Sequence, residues 1–375
     1  MNEPLDSGNR ERDDDSINDD PFDDVSTENE GKPVSFWVSI VLGFLLVVSA
    51  GLNLLLILVA ISAAGQFGMP RQDDGYQEVN LQGDGPNKIL VIPIDGMITD
   101  QGSSGLFGAG LSPVERVRRQ LERAADDDSV KGVILKVNSP GGGVTASDKI
   151  YHHIQKFKKE RPNVFFLSLM ENVAASGGYY VSAPAEHIMA HPTTITGSIG
   201  VIMQFFVVQG LLKKLEIDPV TVIPDQAENK DLGSPLKPFT EEDRKIFKGV
   251  VTRMYERFVD VTAEGRDNLS REQVVKLADG RIYHARQAVE NGLIDSTGYF
   301  EDAVEKVKSE QNLDQANVIR YKERVSLFDS LQATARSASD QRALSPQIRQ
   351  VLLGKSPPKL LYLWSPKQKM RVQPR

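Results

Sequence analysis

Glu171-Asn172-Val173-Ala174-Ala175-Ser176-Gly177-Gly178-Tyr179-Tyr180 is the stretch on which the reading of this chain turns. The apolar run Val164–Met170 leads into it and reads as a buried strand. Ser176 then sits between two alanines and two glycines, where the chain must turn from strand to helix. Such a turn exposes a hydroxyl and leaves the next backbone N–H groups unpaired, because the first turn of a helix has no internal acceptors for them. A nucleophilic serine needs both features. Tight helix–strand packing is the competing use of the same small residues.

A second stretch has matching chemistry. Gly132–Val137 is another buried-strand pattern and runs into Asn138-Ser139-Pro140-Gly141-Gly142-Gly143. Three glycines after a strand leave backbone N–H groups unobstructed, as an oxyanion hole requires. No Lys-Ser/Thr follows them, which excludes a P-loop. Strands alternate with helical patterns from Lys88 onward, predicting an α/β domain with a largely parallel sheet. Right-handed crossovers bring the loops that follow parallel strands to one sheet edge, so the glycine turn and Ser176 are expected together. The oxyanion donors are then the N–H groups of Gly142 and of Gly177, the residue after the nucleophile.

The motifs N-S-P-G-G-G and A-A-S-G-G-Y-Y, with T-G-S-I-G-V at Thr196–Val201 and A-D-G-R-I-Y at Ala278–Tyr283, resemble the signal peptide peptidase A family of membrane-anchored serine peptidases. The resemblance runs from about Lys88 to Phe300 and implies a Clp/crotonase-like fold. It also implies a Ser/Lys dyad, with Lys230 in E-N-K-D-L-G-S-P matching the catalytic lysine motif. Ser198 fits a hydrogen-bonding role toward that lysine, or else a turn hydroxyl that satisfies its own backbone. A lysine acts as base only when neutral, so its site must disfavour the charged form. The adjacent Asp231 would oppose that unless its side chain points away. Implied further are hydrophobic peptide substrates such as signal-peptide remnants, an acyl-enzyme, a ring- or dome-like homo-oligomer that could join Ser176 and Lys230 across subunits, and no cofactor.

Composition narrows the alternatives. The chain has no cysteine, which removes disulfides, thiolate metal sites and cysteine nucleophiles. His187 and His191 stand four apart without the glutamate of a zinc-hydrolase motif, so no metal is expected. His191 is the best histidine candidate for a Ser-His alternative. Residues 1–32 carry twelve acidic and three basic residues with no aliphatic periodicity, reading as a disordered acidic tail. The remaining chain is close to neutral and bears no nucleic-acid signature.

No charged residue lies between Lys32 and Arg71, and Phe36–Ile61 is long enough to cross a membrane, placing a transmembrane helix in residues 33–67. The positive-inside rule is nearly silent here; the resemblance implies an inner-membrane protein with its catalytic domain outside the cytoplasm. Residues 68–87 read as a linker, 88–308 as the peptidase domain, and 309–375 as an extension. Pro93 predicts an edge or strand end, Asp218–Ile223 a short strand, and Thr240–Glu264 a long amphipathic helix with Ile246, Phe247, Val250, Val251, Met254, Phe258 and Val261 inward. Leu360-Leu361-Tyr362-Leu363-Trp364 is a late apolar island too short for a membrane span; it is expected to dock by strand addition at a sheet edge. Rival readings are a crotonase-type acyl-CoA enzyme, a peptidase cutting other membrane proteins, and an inactive membrane scaffold.

Overall fold

A computed structural model describes residues 34–66, 76–102, 104–105, 108–323 and 360–363. The acidic tail expected at 1–32 lies outside the described residues. The chain divides into two compact units, residues 1–73 and 74–375.

The first unit contributes α1 (Val34–Gln66). Its segment Phe36–Leu58 has a mean hydropathy of 2.6 and is long and apolar enough to cross a membrane. Twenty-three residues at about 1.5 Å each give roughly 35 Å of helix, against a hydrocarbon core of about 30 Å.

The second unit begins with β1 (Tyr76–Gln82) and β2 (Lys88–Asp95). The glycine-rich loop that follows holds a two-residue hairpin, β3 (Ser104–Gly105) and β4 (Gly108–Ala109). Helix α2 (Pro113–Ala125) starts on Ser112, whose hydroxyl accepts from the Glu115 N–H. Then come β5 (Val130–Ser139), β6 (Gly141–Gly143), α3 (Val144–Glu160), β7 (Phe165–Ala175) and α4 (Gly177–Ser182). Three short strands, β8 (His187–Ala190), β9 (Ile195–Gly197) and β10 (Ile202–Met203), precede α5 (Gln209–Lys214). Helix α6 (Glu241–Gly265) is capped by Thr240 and followed by α7 (Arg271–Leu277) and β11 (Ile282–His284). Next are α8 (Ala285–Glu290), β12 (Ser296–Thr297), α9 (Phe300–Glu310), β13 (Asn317–Glu323) and the tail strand β14 (Leu360–Leu363), which pairs antiparallel with β6 and β10 in a small separate sheet.

The main sheet runs β1-β13-β2-β5-β7-β8-β12, parallel except for the β1 edge, with β9 paired to the far end of β7 and β11 to β9. Both faces are covered, so its central strands are apolar on both sides. Leu90, Ile92 and Ile94 of β2 point into a core shared with α2, α3, α4 and α6, while Ile89 and Val91 join Ala303, Val304 and Val307 of α9 on the other face. Gly132 lets α9 approach β5 closely: a Cβ there would lie 2.1 Å from Val307 Cγ1.

Several expectations need correction. The linker placed at 68–87 contains β1, and the extension placed at 309–375 contains β13, so the sheet spans residues 76–323 rather than 88–308. Neither strand alternates strongly, because β1 is an exposed edge. Asp218–Ile223 is not a strand; its Val220 and Val222 are 86% and 90% exposed. Only the later part of α6 is core, through Phe258, Val259, Val261 and Thr262, whereas Ile246 and Val250 face outward. Pro93 is tolerated inside β2 because β13 pairs only with Lys88–Leu90, leaving that edge open beyond.

Candidate active site

β5 and β7 are parallel neighbours, so their C-terminal ends deliver both glycine-rich turns to the same place; Ser139 is in register with Ala174. The Ser139 hydroxyl donates to the Gly96 carbonyl at 2.6 Å and accepts from the Gly141 N–H at 3.1 Å, fixing the start of the glycine turn. Gly141 adopts φ +99, a conformation that side chains disfavour. Gly142 has no room for one, since a Cβ would sit 2.0 Å from the Ile98 carbonyl oxygen.

Ser176 has φ 55 and ψ −115, outside the regions that ordinary residues occupy. That strain is held by its surroundings. Its N–H donates to the Gly197 carbonyl at 2.7 Å and its carbonyl accepts from the Tyr180 N–H at 2.9 Å, the first bond of α4. The two glycines after it are required by packing. A Cβ on Gly177 would meet Ser147 Oγ at 2.6 Å and the Gly142 nitrogen at 3.1 Å, and one on Gly178 would meet the Ser139 carbonyl at 2.6 Å. Gly142 and Gly177 are therefore adjacent, and the small residues serve tight packing and the turn together. Ser147, which the sequence did not single out, lies fully buried beneath the turn with its hydroxyl unpartnered among the described residues.

The remaining motifs assemble on the other side. T-G-S-I-G-V supplies β9 and Ser198, which has φ 52 and donates its N–H to the Arg281 carbonyl at 2.7 Å. A-D-G-R-I-Y pairs against it through Ile282 opposite Gly197. Together with α6 they enclose a cavity of about 440 Å³ lined by Ser176, Ser198, Ile202, Lys248, Tyr255 and Gly280, among others. Ser176 is only 1% exposed overall, yet it reaches this space.

Lys230 is not among the cavity residues. It is exposed, one turn past a 3-10 helix at Asp225–Ala227, with its N–H donating to the Ala227 carbonyl at 2.8 Å. The loop is pinned to α6 by Phe205, Phe239 and Phe247, whose rings lie 4.5 to 6.1 Å apart, and by Gly233, φ +71, packed on two of them. Asp231 turns to Lys237, 2.6 Å away, instead of to Lys230, and its bond holds the Lys237 amine above the usual lysine range. Lys248 is the lysine that lines the Ser176 cavity within one chain. Its signal was missed because it lies on the outward side of an amphipathic helix, where a lysine ordinarily meets solvent.

The five histidines are engaged elsewhere. His187 Nε2 is 2.8 Å from Ser296 Oγ, His191 packs on Tyr299, His284 caps α8, and His152 and His153 contact each other on α3. None lines the cavity, so His191 is not brought to Ser176. Among the described residues no cluster of three His, Asp or Glu side chains is arranged to hold a metal.

The profile of Peptidase family S49 matches residues 156–314, a range that holds Ser176, Ser198, Lys230 and Lys248. A relative from Enterococcus faecium named as a signal peptide peptidase SppA is 41% identical over 254 residues, 68% of this chain and 72% of its own. Protease 4 of Haemophilus influenzae is 37% identical over 237 residues, 63% of this chain and 37% of its own. The chloroplastic serine protease SPPA of Arabidopsis thaliana is 28% identical over 230 residues, 61% of this chain and 33% of its own.

Proposed function

The chain belongs to peptidase family S49 and is a serine protease, and on that premise we propose that Ser176 is its nucleophile and Lys230, supplied by a neighbouring copy, its general base. The observation that carries the nucleophile is the strained Ser176 turn, which lines the cavity and is backed by Gly142 and Gly177. In this reading the neutral lysine amine takes the Ser176 proton as Oγ attacks the scissile carbonyl. The N–H groups of Gly142 and Gly177 hold the tetrahedral oxyanion. The amine then returns the proton to the leaving nitrogen, and a water, deprotonated by the same lysine, hydrolyses the acyl-enzyme.

The need for a second copy follows from Lys230 being exposed and off the cavity of its own chain. The stretch before Lys230 offers apolar side chains to such a contact: Phe206, Leu211, Leu215, Val220 and Val222 are all exposed, and a second copy would bury them. Ser198 would orient the incoming amine. Substrates are hydrophobic peptides such as signal-peptide remnants, consistent with an apolar cavity wall of Ile199, Val201, Ile202 and Val251 and with one helix able to anchor the enzyme at a membrane. We place that membrane as the inner one, with the catalytic unit outside the cytoplasm.

A second reading keeps the base within the chain, with Lys248 in the role, because Lys248 shares the cavity with Ser176. One experiment separates them. A fluorophosphonate probe should label wild type and not Ser176→Ala, and mixed oligomers of Ser176→Ala with Lys230→Ala should recover partial peptide hydrolysis. No recovery in verified mixed oligomers, with Lys248→Ala inactive and Lys230→Ala active, would overturn the shared dyad in favour of Lys248.

A further inference from the structure

Ser147 occupies a place in α3 where a core residue is expected. It begins, with Val144, the buried face that Ile150, Tyr151, Ile154 and Phe157 continue. Its side chain is 0% exposed, and its hydroxyl has no hydrogen-bond partner among the described residues. Alanine would fill the same helical position without leaving a polar group unpaired. The core alone therefore gives no reason for a serine here.

The surroundings of the hydroxyl supply one. The point at which a Cβ on Gly177 would stand is 2.6 Å from Ser147 Oγ, 3.1 Å from Gly141 Cα and 3.1 Å from the Gly142 nitrogen. The two residues whose N–H groups are assigned to the oxyanion meet at this one point, and the Ser147 oxygen closes it from the side of α3. Gly177 opens α4 with helical backbone, so contact and not conformation is what excludes a side chain from it. The next residue of α3 fastens the same helix, since the Asp148 carboxylate accepts from the Tyr180 hydroxyl at 2.6 Å.

We propose that Ser147 is a positioning residue for the oxyanion hole: its hydroxyl oxygen props the Gly177 backbone against the Gly142 turn and fixes the spacing of the two N–H donors. This rests on the reading of Ser176 as nucleophile with Gly142 and Gly177 as donors. Ser147 acts through Gly177 and not on the substrate. An interaction that matters only in the transition state changes kcat and leaves KM alone. Removing the hydroxyl keeps both donors but loosens their spacing. The loss is then smaller than the roughly 10²–10³ that follows deletion of a donor, at about tenfold in kcat.

Peptide hydrolysis, fluorophosphonate labelling and urea unfolding of the full-length enzyme test this. Ser147→Ala should lose about tenfold in kcat and in labelling rate, hold KM within about twofold, and unfold at the same or a higher urea concentration, because the unpaired hydroxyl is gone and alanine suits a helix. Ser168 is a second fully buried hydroxyl without a partner among the described residues, opposite Leu135 and Ile188 in the first half of β7. Ser168→Ala makes the same chemical change there and should keep its kcat. Gly177→Ala should be nearly inactive, and adding Ser147→Ala to it should raise kcat by about tenfold. The atom nearest the new methyl is then absent, and the next, at 3.1 Å, need yield only slightly. Such rescue between two changes that each harm the enzyme alone reads the contact directly. A Ser147→Ala enzyme with native kcat, a loss matched by a raised KM or by earlier unfolding, an equal loss in Ser168→Ala, or a double variant no better than Gly177→Ala would each overturn the positioning role. Wild-type labelling at Ser176 would in those cases leave the active-site reading standing. A wild-type enzyme that fails to label, or labels equally after Ser176→Ala, would overturn both.

Discussion

Gly142 and Gly143 are neighbours in one short strand, and the structure separates them sharply. A Cβ on Gly142 would stand 2.0 Å from the Ile98 carbonyl oxygen and 2.7 Å from the Ile98 carbonyl carbon and nitrogen, all backbone atoms that no side-chain rotation can move aside. A Cβ on Gly143 would find nothing nearer than the Ala146 Cβ at 3.6 Å, and its φ of −66 suits alanine. Gly142→Ala must therefore push β6 away from Ile98, a displacement of more than 1 Å to restore ordinary contact. Overpacking of this kind costs about 1–3 kcal/mol, which in a unit of this size lowers Tm by roughly 3–10 °C. The same shift misaims the Gly142 N–H, and losing one oxyanion donor costs about 10²–10³ in kcat. Gly143→Ala, at the N-cap of α3, should change Tm by no more than a degree or two and kcat by less than threefold, since alanine for glycine at a cap costs under about 1 kcal/mol. Peptide hydrolysis and differential scanning calorimetry on both variants, with intact oligomers verified, measure the contrast. A Gly142→Ala enzyme with near-native kcat, or equal damage from Gly143→Ala, would refute the assignment of the donor.

Lys230→Arg and Lys230→Ala should both abolish turnover, because guanidinium stays protonated at any usable pH; steady-state hydrolysis at matched folding checks this, and a near-normal Lys230→Arg enzyme sinks the dyad. Asp295→Asn should destabilise the catalytic unit by about 2 kcal/mol in urea unfolding, at the low end for a broken buried pair because the carboxylate is partly exposed. Burial pushes the Asp295 carboxyl up, but the Arg266 guanidinium and the Ile188 N–H outweigh it and hold the group below the usual range. Its contribution is accordingly complete above the ordinary carboxylate pKa of about 4 and fades as pH falls through the lower folded value, so the deficit of Asp295→Asn should shrink in acid.

The parallel core and the serine turn were legible because each rests on a local rule. Continuous apolar runs such as Gly132–Val137 signal strands buried on both faces, and small residues around Ser176 signal a turn with no space for larger ones. The adjacency of the two turns followed from parallel topology alone. What stayed hidden depends on partners distant in sequence. β1 and β13 stabilise each other from opposite ends of the catalytic unit, Tyr76 paired with Glu323, and carry little pattern of their own. The outward faces of Ile246 and Val250 carry the same apolar periodicity as a core face, since a helix side reserved for another surface is built from the same residues. Lys248 could be placed beside the cavity only once α6 was seen to form its wall.

The pairing of β1 with β13 has a consequence for how the catalytic unit can be handled. Tyr76 and Glu323 are register partners, so the polypeptide joins the main sheet and leaves it at one spot. Segments 76–323 thus form a nearly closed loop, suited to insertion into a host protein's surface turn or to circular permutation with a short bridge. Tension applied through either flank would meet the same antiparallel ribbon, peeling it residue by residue like a zipper, while the parallel strands bearing Ser176 remain unloaded.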